Sequence, residues 1–523
     1  MPICIAQAPF SHPPPAFSIP KERVSQMNIF LAAVLGELIT RSINLLIDNS
    51  CKPPTAPDVE DRLRRILLRA QVIVDEAMGR QITNRGVLQQ LDMLRDAMYH
   101  GYYILDTFRY QSHSEEETKG QVLTDSLSLL KVVNSLQGLC SSSRNTQILE
   151  HLQKSLDVLS SMIIDMKEIV VFVMSYPRLY RQPYSMHLLV GNCMFGRQME
   201  TELVISFLLH AQPHGPKELE VLPIVGPGKV GKTTLVAHVC KDARVRDHFS
   251  EILFLHEHDL TGVDLAALKE GYVTEHQNHG SNSNKEGRRL LIVVELVGTL
   301  TEDVWNRLYS GSVEHVPSGS KIIVTSRSDE IIKFGTNQPL SLKYLSHEAY
   351  WYFFKMITFG SMDPEMHPRF ARMAMEIARM HNGCFIGANM IGCLLSDNID
   401  FHFWCKVLGF LRGTIRKHVS KLGGHPFDLI NEKKPAHLGR MCAPSEDFVL
   451  HYEYQRSSQE DVPEIRIQDV IYGSVKAQGK FEALGWRSRI PPYHSYINVC
   501  EIRGLKTTGT KRKRCMKNGV TLY

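Results

Sequence analysis

Residues 221–236 read VLPIVGPGKVGKTTLV and decide the fold class of this chain. A short apolar run typical of a buried strand leads into Gly-x-x-x-x-Gly-Lys-Thr, from Gly226 to Thr233, and then into the apolar spacing of a helix. Gly226 and Gly231 keep side chains out of the loop, so that backbone amides and the helix N-terminus can converge on a polyphosphate. The stretch therefore predicts a phosphate-binding loop, in which Lys232 reaches the β- and γ-phosphates and the Thr233 hydroxyl ligates Mg²⁺.

Three more short apolar runs follow the loop, at residues 252–255, 290–294 and 321–325, and helical patterns separate them. Alternating strands and helices are typical of a parallel sheet, so we expect a P-loop α/β domain. Glu295 directly follows the run at 290–294, where an acid can hold Mg²⁺; a solvated acid at a strand end is the alternative interpretation. Leu296 comes next and cannot act as a general base, so we expect slow or absent hydrolysis.

The last of these strands ends in an arginine. Residues 319–327 read GSKIIVTSR, which presents Arg327 where the γ-phosphate of a bound nucleotide would lie. A guanidinium suits a site for an anion that binds and leaves. The alternative is a surface arginine that pairs with Asp329 or Glu330.

The segments on either side of the loop region have different patterns. Residues 27–175 show apolar positions every three to four residues, which predicts a bundle of about four amphipathic helices. From about residue 445 the apolar pattern has a period of two, which favours a small β-rich region. Residues 1–26 are rich in proline and predict a disordered leader.

Charge and cysteine content exclude several classes of protein. The formal net charge is +5, but residues 503–523 carry seven basic side chains and no acidic one, so residues 1–502 sum to −2. A nearly neutral body argues against direct binding of nucleic acid. The eleven cysteines form no Cys-x-x-Cys pair, which argues against a zinc ribbon and favours reduced, intracellular thiols. The longest apolar stretch, residues 29–47, contains Glu37 and Arg41, so we expect no transmembrane segment.

The order of these segments over residues 27–415 resembles the nucleotide-binding switch region of plant NLR (nucleotide-binding, leucine-rich-repeat) disease-resistance proteins, of NB-ARC type. The helical region resembles the Rx-type coiled-coil N-terminal domain, notably in LDMLRDA at residues 91–97. Gly196-Arg197-Gln198-Met199-Glu200 is similar to the family's segment on the adenine side of the nucleotide, and Gly383–Ala388 stands where the family has Gly-Leu-Pro-Leu. The resemblance implies ADP or ATP with Mg²⁺ as cofactors. It implies metal contacts through Thr233 and Glu295, and nucleotide contacts through Gly226, Gly228, Gly231, Lys232, Thr233, Thr234, Arg327 and Arg197.

The patterns and the resemblance together divide the chain into segments. We expect a disordered leader (1–26), an Rx-like helical bundle (27–175), a linker (176–195), a P-loop nucleotide-binding domain (196–340), a helical NB-ARC subdomain (341–420), a small β-rich extension (421–502) and a basic tail (503–523).

The resemblance implies a signalling switch of the plant immune response that depends on ADP and ATP. No leucine-rich repeat is visible, so we expect a truncated receptor-like protein without ligand-reading repeats. Partners would be helical-bundle proteins or further copies of the chain. We expect a cytoplasmic protein, in which Lys511–Arg514 is either a nuclear-import signal or a solvated basic tail. Two alternatives stay open: a scaffold or decoy whose bundle binds partners and whose loop is vestigial, and an active P-loop NTPase.

Overall fold

The fold is described from a computed structural model of the chain. The predicted leader, most of the first predicted helix at 29–47, most of the linker and Lys511–Arg514 of the basic tail lie outside the described residues. The described residues form two compact units, one from residues 1–101 and 140–181 and the other from residues 102–139 and 182–523. The structure describes residues 37, 56–117, 141–178, 194–210, 219–257, 260, 289–296, 298, 300–381, 383–432, 434–443, 446–457, 460–473, 475, 477, 479–490 and 492–504.

The first unit contains long amphipathic helices. Its packing follows the predicted spacing, since Leu63 and Leu67 of the first helix and Leu156 of the third are almost fully buried. A buried arginine joins their ends: the Arg80 guanidinium donates to the carbonyl oxygen of Met174 at 2.9 Å. The helices described here are α1 (Ala56–Met78), α2 (Arg85–Glu117), which continues into the second unit, and α3 (Ser141–Ser175).

The second unit begins its α/β part with helix α4 (Gln198–Leu209). The strands that follow form a parallel sheet, which within the described residues has the order β2-β3-β4-β1-β5. Strands β1 and β4 are buried along their whole length, including the polar residues at their ends, as expected of central strands in a parallel sheet. The strands are β1 (Glu220–Val225), β2 (Glu251–His256), β3 (Leu290–Glu295), β4 (Lys321–Ser326) and β5 (Leu340–Ser341).

Helices cover both faces of this sheet. Leu235 and Val245 pack with α4 on one face, while Trp305 and Leu308 pack on the other. Ligands of open parallel sheets bind outside the carboxyl ends of the strands, which is the edge that the 226–231 loop occupies. The covering elements are α5 (Lys232–Cys240), α6 (Ala243–His248), α7 (Glu302–His315) and a 3₁₀ helix (Asp329–Phe334).

A helical subdomain follows the sheet, from His347 to Asn431. The last turns of α2 belong to the same compact unit and contact it. The buried carboxylate of Asp106 accepts hydrogen bonds from Trp351 Nε1 at 2.7 Å and from Lys355 Nζ at 2.6 Å. The elements of the subdomain are α8 (His347–Phe359), a 3₁₀ helix (Pro364–Met366), α9 (Pro368–Arg379), α10 (Phe385–Asp397), α11 (Phe401–Leu422) and α12 (Pro426–Asn431).

The C-terminal part is an antiparallel sheet whose strand order within the described residues is β6-β7-β9-β8. The sequence pattern at 465–467 suggested a further strand, but a short helix begins at Ile467, because Ile467, Val470 and Ile471 point together into the core of this region. The elements are β6 (Ala436–His437), β7 (Glu446–Arg456), α13 (Ile467–Ile471), β8 (Gly479–Arg487) and β9 (Ser495–Gly504).

These observations confirm the predicted fold class: an N-terminal helical region, a P-loop-like parallel α/β domain, a helical subdomain and a C-terminal β-containing region. Within the part of the chain that the structure describes, no helix has both the length and the apolar character that a bilayer span requires.

Candidate functional site

The loop at residues 226–231 has a backbone that its glycines make possible. Gly226 has φ +153°, and a Cβ atom at this position would lie 2.4 Å from the carbonyl oxygen of Leu342. Gly231 has φ +102° and caps the N-terminus of α5. Side chains other than hydrogen would be strained at both positions. The loop therefore leads from the buried strand β1 directly to a helix N-terminus, which is the geometry that phosphate binding requires.

Lys232 is the first residue of α5, and its ammonium group is turned back over the loop. Its Nζ donates to the carbonyl oxygens of Gly226 at 2.6 Å and Pro227 at 2.9 Å. Burial lowers the pKa of Lys232 to about 8, and the charge of Arg327 acts in the same direction, while Glu295 opposes them. A bound anion would favour the charged form of this lysine, and the charged lysine in turn would stabilise the bound anion.

Thr233 and Glu295 meet at the end of β3. The Thr233 hydroxyl donates a hydrogen bond to the Glu295 carboxylate. Glu295 lies beside His256 in the parallel register of β2 and β3, and His256 Nδ1 is 3.6 Å from the carboxylate. A hydroxyl and a carboxylate are oxygen ligands that suit Mg²⁺ held mainly by substrate phosphates. Among the described residues there is no cluster of three or more side chains that could hold a metal ion by themselves.

Arg327 follows β4 and lies against the phosphate loop. Its guanidinium carbon is 3.0 Å from the position that a Cβ atom of Gly228 would take, so any side chain at Gly228 would displace it. The predicted sensor arginine and the glycine loop are thus brought together.

Arg197 precedes α4 and is 7% exposed. Its Nη1 donates to Glu200 at 2.9 Å, and its Nη2 donates to the carbonyl oxygen of Lys343. Among the described residues its buried Nε finds no hydrogen-bond partner. A buried polar atom without a hydrogen-bond partner lowers the stability of the fold. Such an atom is expected where a bound ligand supplies the missing hydrogen bond.

Apart from Gly226, the predicted site residues border one cavity of about 710 Å³, within the range of ordinary ligand sites. Its polar end contains Gly228, Lys232, Thr233, Thr234, Glu295 and Arg327. Its apolar end is aromatic: the rings of Phe195 and Phe385 lie 5.1 Å and 5.2 Å from that of Phe353. A polar end for phosphates and an aromatic end for a base together suit a nucleotide.

The structure adds cavity residues that sequence reasoning did not find. Glu257 also borders the cavity, and its carboxylate accepts from the Gly298 amide at 3.1 Å. The sequence showed no second acid after Glu295; the cavity receives one from the neighbouring strand instead. The register of β2 and β3, which aligns His256 with Glu295, brings Glu257 to this edge of the sheet, and no pattern in the sequence indicates that register. The cavity is also bordered by residues of β7, β8 and β9, which carry no recognisable motif.

Comparison with known proteins agrees with this geometry. The NB-ARC domain family matches residues 198–363, and the Rx N-terminal domain family matches residues 34–165. Disease resistance protein RGA2 of Solanum bulbocastanum is 26% identical over 223 residues, which is 40% of this chain and 23% of that protein. RPP13-like protein 1 of Arabidopsis thaliana is 24% identical over 369 residues, which is 66% of this chain and 34% of that protein.

The matched segments thus span between about a quarter and a third of the length of these two relatives. The NB-ARC match covers the phosphate loop, Glu295 and Arg327, so this part of the chain is a nucleotide-binding P-loop domain. With its parallel sheet, its glycine loop and its N-terminal helices, the chain contains an NB-ARC domain at residues 198–363 and an Rx N-terminal domain at residues 34–165, and it is similar to plant disease-resistance proteins.

Proposed function

We propose that the chain is a signalling switch of the plant immune response that binds ADP or ATP with Mg²⁺ and hydrolyses ATP slowly or not at all. The observation that carries this proposal is the convergence of Lys232, Arg327 and the Thr233–Glu295 pair on one glycine loop, beside an aromatic cavity. The cavity has cations for the phosphates, a pair of metal ligands for Mg²⁺ and an apolar wall for the base, and these match the parts of a nucleoside polyphosphate.

Each side chain then has a distinct role. Lys232 binds the β- and γ-phosphates, and Arg327 contacts the γ-phosphate when it is present. Thr233 and Glu295 hold Mg²⁺, which when bound neutralises charge between the phosphates. Gly228 and Thr234 border the phosphate end, and Arg197 lies at the cavity wall, where the resemblance places the adenine side.

The switch follows from the difference between the two nucleotides. ADP lacks the group that Arg327 and the metal pair contact, so ADP and ATP interact differently with the same cavity. A ligand shifts a conformational equilibrium only through such a difference in affinity. Exchange of ADP for ATP therefore changes the relative stability of two arrangements of the residues around the cavity.

The test is equilibrium dialysis of labelled ADP against the full chain. We expect binding by the wild type and its loss in Lys232→Ala, because the loop loses its charged donor. The matched control is Lys333→Ala, which removes an exposed lysine paired with Glu302 outside the cavity and leaves binding unchanged. A wild type that binds no nucleotide overturns the proposal and favours a scaffold with a vestigial loop.

One observation favours the active NTPase as the second candidate. Glu257 supplies an acid at the cavity, which a general base would require. Steady ATP turnover that Glu257→Gln abolishes, at a rate near the ~1 s⁻¹ low end of ordinary enzymes, would support an enzyme rather than a switch.

Partner binding through the helical region is part of the proposal. On α3 the apolar side chains Val171 and Phe172 are 66% and 61% exposed. Apolar groups of this size at a surface suit a protein partner or a second copy of the chain. Analytical ultracentrifugation with ADP and with ATP tests whether copies associate; a monomer at all concentrations in both nucleotides argues against self-association.

A further inference from the structure

The C-terminal antiparallel sheet borders the same cavity as the phosphate loop. We propose that this sheet is a second wall of the nucleotide site and that Glu453 is a positioning residue which holds Lys229 of the loop and slows nucleotide release. The proposal rests on the proposed function, because it assigns a part of the chain outside the NB-ARC match to the same site. It concerns residues 446–504, which carry no recognisable sequence motif.

An ion pair joins the loop to the sheet. Lys229 Nζ is 2.9 Å from Glu453 Oε1, and the two side chains are only 14% and 12% exposed. Lys229 has φ +61°, a conformation that a side-chain-bearing residue adopts at a cost. A pair this sheltered from water is weakly screened, so breaking it leaves two poorly solvated charges. The pair therefore fixes the loop against β7.

Bulges in the sheet turn the required side chains toward the cavity. The register of β7 against β9 shifts between Leu450 and Tyr452, so the extra residue reverses which side chains face inward. Before the shift Phe448, Val449 and Leu450 are all buried; after it Tyr452 is 49% exposed, while the Glu453 side chain is 12% exposed and contacts Lys229. Bulges often lie next to functional sites, where they redirect a side chain.

A second bulge lies on the opposite side of β9. The register of β8 shifts between Leu484 and Trp486, and Trp486 and Tyr496 both border the cavity with ring centroids 5.9 Å apart. Two independent irregularities therefore bring polar and aromatic side chains of one sheet to the same cavity.

The sheet also presents polar groups that suit a ligand. Burial raises the pKa of Tyr496, and the charges of Glu453 and Glu295 raise it further, so the phenol stays neutral and can donate a hydrogen bond. His494 borders the cavity, and among the described residues its buried Nδ1 atom finds no hydrogen-bond partner. An orphaned ring nitrogen at the wall is a group that a bound nucleotide can satisfy.

The consequence concerns the rate at which nucleotide leaves. A ligand enclosed between the loop and the sheet is released when the two walls separate, and the Lys229–Glu453 pair opposes that separation. Removing the charge of Glu453 should raise the dissociation rate more than it changes the association rate, whereas loss of a phosphate contact such as Lys232 removes binding itself.

The experiment is stopped-flow release of a fluorescent ADP analogue from the full chain, chased with excess ADP. We expect Glu453→Gln to accelerate release roughly tenfold, which corresponds to the loss of one sheltered charge interaction. The matched control is Glu432→Gln, which removes an exposed carboxylate paired with Lys434 at 2.6 Å outside the cavity, and should leave the rate unchanged.

A charge exchange separates positioning from folding. The double variant Lys229→Glu with Glu453→Lys rebuilds the pair in reverse, so we expect release within about threefold of the wild type, while each single change is fast. Unchanged or slower release in Glu453→Gln, in a chain that binds ADP, overturns this proposal alone. A wild type that binds no ADP overturns the proposed function and this proposal with it.

Discussion

One wall of the cavity comes from the parallel sheet and its glycine loop, and another comes from the C-terminal antiparallel sheet. The first wall can be recognised in the sequence as a motif, because phosphate binding through the backbone tolerates few residue types at Gly226, Gly231 and Lys232. The second wall depends on register and on bulges, which many sequences can produce. Phosphate binding by backbone amides therefore requires a motif that can be recognised in a sequence, whereas positioning by side chains of a sheet requires no such motif.

The largest effect should come from a glycine of the first wall. In Gly226→Ala the new methyl group would meet the Leu342 carbonyl, so we expect a loss of unfolding free energy of about 3 kcal/mol and no detectable ADP binding. Urea unfolding and dialysis measure the two effects. Gly409→Ala, at an exposed position of α11 with no atom near the new Cβ, is the control and should stabilise the chain by about 0.5–1 kcal/mol. Full ADP binding by Gly226→Ala would show that the first wall does not require a glycine at this position.

The next effect tests the metal pair. In Glu295→Ala the Thr233 hydroxyl loses its partner, so Mg-ATP affinity should fall by about tenfold or more, as for groups that hold or orient a metal ligand. Binding of ADP without Mg²⁺ should change little. Isothermal titration calorimetry with and without Mg²⁺ measures both, and Glu302→Ala, an exposed acid paired with Lys333, is the control. Equal losses for both ligands would show that Glu295 acts structurally.

A smaller effect is expected from a glycine of the second wall. A Cβ atom at Gly485 would lie 2.4 Å from Asn498 Nδ2, and Asn498 is 2% exposed, so it has little room to move. We expect Gly485→Ala to cost about 1–2 kcal/mol of unfolding free energy and to speed ADP release, while ADP still binds. Complete loss of ADP binding would mean that the second wall is as indispensable as the first.

The smallest effect is a dependence on pH that belongs to the first wall alone. Since the pKa of free Lys232 is about 8 and a bound phosphate raises it, binding takes up a proton above pH 8. Affinity for ADP should be nearly constant from pH 7 to 7.5 and then fall by up to roughly tenfold per pH unit above 8. Titrations between pH 7 and 9.5 measure this, and Lys232→Arg should flatten the curve, because its guanidinium stays charged. A flat wild-type curve would contradict the assignment of Lys232.

The strands of the parallel sheet and the helices after residue 56 could be predicted because their apolar spacing is regular. The phosphate loop could be predicted because its motif has a single physical use. Glu257 could not, since its place at the same cavity as Glu295 depends on the alignment of two strands separated by more than thirty residues. Glu453 could not either, because an acid in a strand carries no indication of its partner until the bulge in β7 is known.

The bulge in β7 has a genetic consequence. Because it inserts one residue at His451, an in-frame deletion of that single codon would restore regular alternation and turn Glu453 to the outer face. Such an allele would keep every residue of the glycine loop, and a survey that counts only intact motifs would score it as competent. Its protein would bind nucleotide and lose it quickly, so natural variation in response strength could arise in a segment that motif-based inspection passes over.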